Sequence, residues 1–166
     1  MSRYLLSLRS FLPLLIALWV FGADAASAYE ARVRWVVDGD TLELQSFPRP
    51  VRVRLAEIDA PEFDQPYGSA ARNALVRLVA GRMVRVVPTE NDRYGRVVAR
   101  IYVGDVDVNA ALVRQGYAWV YRQYAHDPAL PVAEQEAQAA RRGLWAQGKS
   151  IPPWEWRARE RGYFRR

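Results

Sequence analysis

The chain has 166 residues, 51% of them hydrophobic and 12% aromatic, with a formal charge of +6. That suits one compact domain and is too aromatic for a disordered chain; nothing repeats at a period of ~20–50 residues, which excludes solenoids and propellers. The absence of cysteine, with His126 as the single histidine, excludes disulfide frameworks, zinc–thiolate sites, imidazole-built zinc clusters and cysteine nucleophiles.

The first residues read as an export signal. Arg3 and Arg9 precede an apolar run from Phe11 to Ala23, interrupted by Pro13, and two small-x-small sites follow, Ala23-Asp24-Ala25 and Ala26-Ser27-Ala28. A membrane span needs about 20 apolar residues, and Asp24 cuts this run short. Residues 1–28 are therefore expected to be a cleaved signal peptide, leaving a periplasmic or extracellular protein with no membrane anchor. Residues 29–148 form the expected folded domain and 149–166 a tail rich in proline, tryptophan and arginine.

From Ala31 to Asp38, Val33, Trp35 and Val37 alternate with Arg32 and Arg34, which predicts a half-buried strand. Asp38-Gly39-Asp40 is a turn signal, and Thr41 to Leu44 a second strand with Leu42 and Leu44 inward. Val51, Val53 and Leu55 make a third strand; the same parity would bury Glu57, so a bulge is expected before Ile58. Helical spacing covers Ser69 to Val79, with Gly81 past its end. Met83 to Val87 and Val97 to Val103 are strands four and five, joined through the hairpin Asp92-Arg93-Tyr94-Gly95-Arg96. Asn109 to Gln115 is a short helix, Ala118 to Tyr121 is extended, and Val132 to Arg142 is a third helix. The tail Ile151-Pro152-Pro153-Trp154-Glu155-Trp156 is too rich in proline and tryptophan for a simple helix. The predicted fold class is α+β, mainly β: a five-stranded Greek-key barrel of the oligonucleotide-binding (OB) type with three helices.

Three carboxylates cluster early in the mature chain, Asp40 after a turn and Asp59 and Glu62 around Ala60-Pro61. Carboxylates with nearby backbone carbonyls form a hard oxygen site suited to calcium or magnesium. Arg54 stands five residues before Asp59, and Arg96 closes the glycine hairpin. Pooled, these residues offer a metal cradle, a base and two phosphate clamps, the parts phosphodiester hydrolysis needs. The basic residues are arginine except for Lys149, and the planar guanidinium fork suits phosphate. Each segment alone is an ordinary turn, hairpin or solvated face; their joint order carries the weight.

That order resembles the staphylococcal nuclease family. The resemblance is carried by Val37-Asp38-Gly39-Asp40-Thr41, by Arg54 through Glu62, by Asp92-Arg93-Tyr94-Gly95-Arg96, and by Asn109 through Gly116, and it spans roughly Ala31 to Trp145. It implies an endonuclease that cleaves DNA and RNA with one calcium ion and leaves 3′-phosphates. By matching position, Asp40, Asp59 and the carbonyl of Ala60 would hold the ion. Glu62 would be the general base, and Arg54 and Arg96 would bind the scissile phosphate. Arg93 and Tyr94 would contact a neighbouring phosphate, and Tyr121 or Tyr124 would stack on bases. Ala60 stands where the best-known members carry threonine, and Arg93 where they carry lysine. His126 is expected to be a loop residue, since no nucleophile pairs with it. No stable protein partner is implied, and a monomer is expected. The alternative reading is an OB-fold module that binds nucleic acid without cleaving it.

Overall fold

The computed structural model describes residues 27–146, 148 and 150–163. The expected leader lies outside these residues apart from its last two. Five strands build the barrel: β1 (Tyr29–Val36), β2 (Thr41–Leu44), β3 (Val51–Leu55), β5 (Met83–Asn91) and β6 (Val97–Val103). The order is β3-β2-β1-β5-β6, with antiparallel neighbours, and a parallel β3–β6 pairing closes the ring. Three two-residue strands are added: β4 (Ile58–Asp59) pairs with β8 (Trp119–Val120), and β7 (Val106–Asp107) pairs with β6. The helices are α1 (Gly68–Val79), α2 (Val108–Arg114), α3 (Ala129–Ala139) and α4 (Pro153–Tyr163), with a 3₁₀ turn at Gly143–Trp145.

The barrel interior follows the strand alternation. Leu42, Leu44, Val53, Leu55, Val84, Val86 and Ile101 point inward, and α1 and α2 cover one end with Leu75, Val79 and Leu112. Burying each such side chain contributes ~1.5–3 kcal/mol. The first strand departs from simple alternation. A bulge between Val33 and Trp35 shifts the phase, so Val33 and Val36 are buried and Trp35 is 59% exposed, under the guanidinium of Arg72. The expectation that Trp35 and Val37 face inward is thus corrected. The irregularity expected before Ile58 is present as a tight turn at Ala56 and Glu57, with Glu57 at φ 66°.

Asn109 explains how the ring stays closed where β3 ends. It is fully buried; its Oδ1 accepts from the Ile101 N–H, and its Nδ2 donates to the carbonyls of Ala56 and Ala99. A side chain here supplies the hydrogen bonds that a longer β3 would have supplied.

The helices differ most from expectation. There are four α-helices among the described residues, not three. The third begins at Ala129 instead of Val132, because Asp127 Oδ1 accepts from the Ala129 N–H and Pro131 is tolerated in a first turn. It ends at Ala139, three residues early. The tail is helical after all: Pro153 occupies the first helical position, where proline's missing N–H costs nothing and its fixed φ helps. Gln65 Nε2 donates to the Ile151 carbonyl at 2.6 Å, tying this segment to the barrel.

Candidate active site

The turn before β2 sets the first acid. Asp38 Oδ1 accepts from the Asp40 N–H, and the Asp40 carbonyl accepts from the Leu55 N–H, which locks the turn to β3. Gly39 sits so close to its surroundings that a Cβ would lie 2.6 Å from the Ala60 Cβ and 2.8 Å from the Ala71 Cβ. Because Thr41 pairs with Arg54 across β2–β3, the arginine emerges beside Asp40. The turn at Glu57 then brings Asp59 back to the same place, where Ile58 and Asp59 pair with Val120 and Trp119.

One guanidinium joins the two acids. Arg54 Nη1 lies 2.5 Å from Asp40 Oδ1, and Nη2 lies 2.8 Å from Asp59 Oδ1. Asp40 is 5% exposed and Asp59 1% exposed, so both charges are removed from water and depend on partners. The Ala60 N–H donates to Asp40 Oδ2 at 2.8 Å, and the Thr41 hydroxyl donates to Oδ1. Burial opposes ionisation of Asp40, but the Arg54 charge and these hydrogen bonds outweigh it and hold its carboxyl below the usual range. Burial, with the Asp40 charge beside it, pushes Asp38 up to about 6. Arg54 is itself held charged: desolvation works against it, and the two aspartates more than offset that.

A second guanidinium comes from α4. Arg157 Nη2 lies 2.8 Å from Asp59 Oδ2, and Nη1 donates to Glu62 Oε1 at 2.6 Å. Three carboxylates thus face two guanidiniums, and one negative charge is left over. Asp40, Asp59 and Glu62 are linked through the two arginines; among the described residues no three acidic or histidine side chains surround a single point.

Arg96 sits apart from this cluster. Its Nε is 2.7 Å from Asp92 Oδ2, and Asp92 Oδ1 accepts from the Tyr94 and Arg96 N–H groups. Strand parity nevertheless gives Arg96 and Arg54 the same face: Val53 pairs with Val97 and both point toward the interior side, so Arg52, Arg54 and Arg96 all lie on the outer side of adjoining strands. Arg52, Tyr94, Gly95 and Arg96 line one shallow hollow there. The Arg93 and Arg96 guanidiniums lie 4.9 and 5.6 Å from the centre of the exposed Tyr94 ring.

Tyr121 and Tyr124 are neighbours, their rings edge to face at 4.8 Å. Tyr121 is also stacked on Trp154 of α4, at 5.7 Å and 3° between planes. Trp119 is core, packed edge to face with Trp145. His126 lies in an exposed loop whose N–H groups at His126 and Asp127 donate to Glu57 Oε2.

The donor set suits a hard cation. Two buried carboxylates turn their Oδ1 atoms toward one shared positive group, and the Ala60 backbone adjoins both. Oxygen donors of this kind, completed by water, suit a hard cation such as calcium or magnesium. A sequence reading missed Arg157 and Trp154. The pattern Trp154-Glu155-Trp156-Arg157 offered no periodic signal, and one arginine among so many draws no notice.

A closed OB barrel with buried acids and guanidiniums at one edge of its outer face is the class defined by fold and site together. Residues 52–147 match the family model described as staphylococcal nuclease homologue. Over 154 residues the chain is 42% identical to an Escherichia coli protein named uncharacterized endonuclease, covering 92% of this chain and all of that one. A Haemophilus influenzae protein of the same name is 40% identical over 149 residues, 89% of this chain and 84% of its own. The micrococcal nuclease of Shigella flexneri is 36% identical over 149 residues, 83% and 86% of the two chains. The chain belongs to the staphylococcal nuclease family.

Proposed function

We propose that the protein is a calcium-dependent endonuclease that hydrolyses phosphodiester bonds of DNA and RNA and leaves 3′-phosphate ends. One observation carries this reading: Arg54 spans the inward oxygens of two nearly fully buried aspartates, with Glu62 linked to the same cluster through Arg157. Buried acids are costly unless paired and hydrogen-bonded, and here the pairing group is an arginine, whose fork also suits phosphate. Family membership, and relatives named as endonucleases, support the same reaction.

Asp40, Asp59 and the Ala60 carbonyl are the groups that would hold calcium. When bound, the ion supplies positive charge to a phosphate oxygen and to the water near it. Glu62, a loop residue at the cluster's open side, takes a proton from the attacking water. Arg54 turns from the aspartates to the phosphate, and Arg96 approaches from the neighbouring strand, so two guanidiniums share the charge that develops on phosphorus-bound oxygens. Water attacks in line, the bond from phosphorus to the 5′-oxygen breaks, the departing oxygen takes a proton from solvent to become a 5′-hydroxyl, and the 3′-phosphate remains. Arg93 and Tyr94, exposed beside Arg96, take the next phosphate, and Tyr124 offers a ring for base stacking. The basic, apolar leader of the chain supports export, so the same reading places the enzyme in the periplasm or outside the cell.

The test is plasmid and RNA digestion by residues 29–166 in calcium, in magnesium and in chelator, with product ends analysed. Cleavage in calcium is expected, with Glu62→Gln slower by ~10²–10⁴-fold. Wild-type activity in folded Glu62→Gln protein would overturn the mechanism. Salt-sensitive DNA binding without cleavage would instead favour the non-catalytic module.

A further inference from the structure

The two buried aspartates are oriented by the same device applied twice. Their Oδ1 atoms share Arg54, and their Oδ2 atoms are tied back, Asp40 by the Ala60 N–H and Asp59 by Arg157 Nη2, each at 2.8 Å. For Asp40 the backbone performs this task; for Asp59 a side chain from the far end of the chain does. The same guanidinium serves a second acid. Arg157 Nη1 donates to Glu62 Oε1 at 2.6 Å, with a longer 3.3 Å contact to Asp59 Oδ1. Glu62 lies in an irregular loop, and among the described residues Arg157 is the only hydrogen-bond partner of its carboxylate.

The delivery of Arg157 is built into the fold. Gln65 Oε1 accepts from the Glu62 N–H while its Nε2 donates to the Ile151 carbonyl, so one buried glutamine couples the Glu62 loop to the segment entering α4. Trp154, three residues before Arg157 and therefore on a neighbouring part of the same helical face, seats α4 against Tyr121. A planar fork can fix two carboxylates at defined angles, which a lysine ammonium cannot.

We propose that Arg157 is a positioning residue of the active site: it turns Asp59 so that Oδ1 faces Asp40, and it holds Glu62 by Oε1 so that Oε2 is presented to the attacking water. This rests on the nuclease reading above and adds a residue to it. Carboxylates that bind a metal are commonly held by an outer partner of this kind, and losing that partner costs ~10–100-fold in metal affinity or activity.

The experiment compares wild type, Arg157→Gln and Arg157→Lys as the mature chain. Calcium affinity is measured by titration calorimetry, kcat and KM on DNA by steady-state kinetics, and folding by circular dichroism. For Arg157→Gln the expectation is a kcat lower by ~10–100-fold and a calcium Kd weaker by about 10-fold, with KM for DNA nearly unchanged. Arg157→Lys should recover part of both losses. Unchanged kcat and calcium affinity in folded Arg157→Gln would overturn the proposal. So would tighter calcium binding, which would make Arg157 a competitor of the ion. If the glutamine variant does not fold, the lysine variant decides: reduced kcat at unchanged KM supports positioning by the fork, and wild-type kcat refutes it. Because calorimetry needs no turnover, an inactive wild type would sink the nuclease reading while the effect of Arg157 on the ion site was still read out.

Discussion

Replacing Arg54 by glutamine tests the charge balance of the cluster directly. Among the described residues the guanidinium is the only group that touches both Asp40 Oδ1 and Asp59 Oδ1, and it is 17% exposed, so water cannot easily take its place. Removing one partner of a buried ion pair costs ~3–5 kcal/mol. Here each aspartate keeps other donors, Asp40 the Ala60 N–H and the Thr41 hydroxyl, Asp59 the Arg157 fork. The low end, about 3 kcal/mol, is therefore expected in chelator, which for a chain of this size is a fall of roughly 10 °C in Tm. Calcium at 100 times its Kd stabilises by about 2.7 kcal/mol, and the variant should regain most of the loss. Thermal unfolding followed by circular dichroism, with chelator and with calcium, gives both numbers, and nuclease assays on the same samples should show activity still lost when stability returns. If Arg54→Gln melts within about 3 °C of wild type in chelator, the buried aspartates do not depend on this guanidinium and the reasoning fails.

Asn109→Leu should leave the Ile101 N–H and the Ala56 carbonyl without partners, at ~1–3 kcal/mol each, and lower stability by about 2–6 kcal/mol in urea titrations; a loss below about 1 kcal/mol would show that the barrel closes without it. The Ala129 N–H, and next the Arg100 side chain, hold the Asp127 carboxyl below its usual range. A lowered carboxylate stabilises the fold above the unfolded pKa of about 4 and stops doing so as pH falls through the lower folded value. Asp127→Asn should therefore melt below wild type at pH 7, with the gap narrowing under acid; a gap that stays constant with pH would count against this linkage.

The barrel could be read from the sequence because period-two alternation on β2, β3 and β6 is a direct signature of strands with one face inside. The bulge that turned Trp35 outward left no such mark, since Trp35 is as apolar as a core residue and only the pairing with Glu43 shows the slip. Asp40, Arg54, Asp59 and Glu62 were legible as a group through their order, and their meeting depends on the turn at Glu57, whose positive φ no local rule required. Helix α4 was hidden by its own composition. Two prolines and two tryptophans weaken any helical signal, yet one proline sits where helices accept it, and Trp154 packs on Tyr121. Arg157 was beyond reach for a different reason: its partners lie 95 and 98 residues earlier, and nothing local marks so distant a contact.

That separation governs when the molecule becomes whole. A chain emerging from its N-terminal end has every strand of the ring once β6 is out, yet closure still awaits Asn109 on α2, and of the two guanidiniums that face the acids only Arg54 is then present. The last helix thus completes the charge balance, and a C-terminal truncation that spares every strand would leave Asp59 and Glu62 without the Arg157 guanidinium.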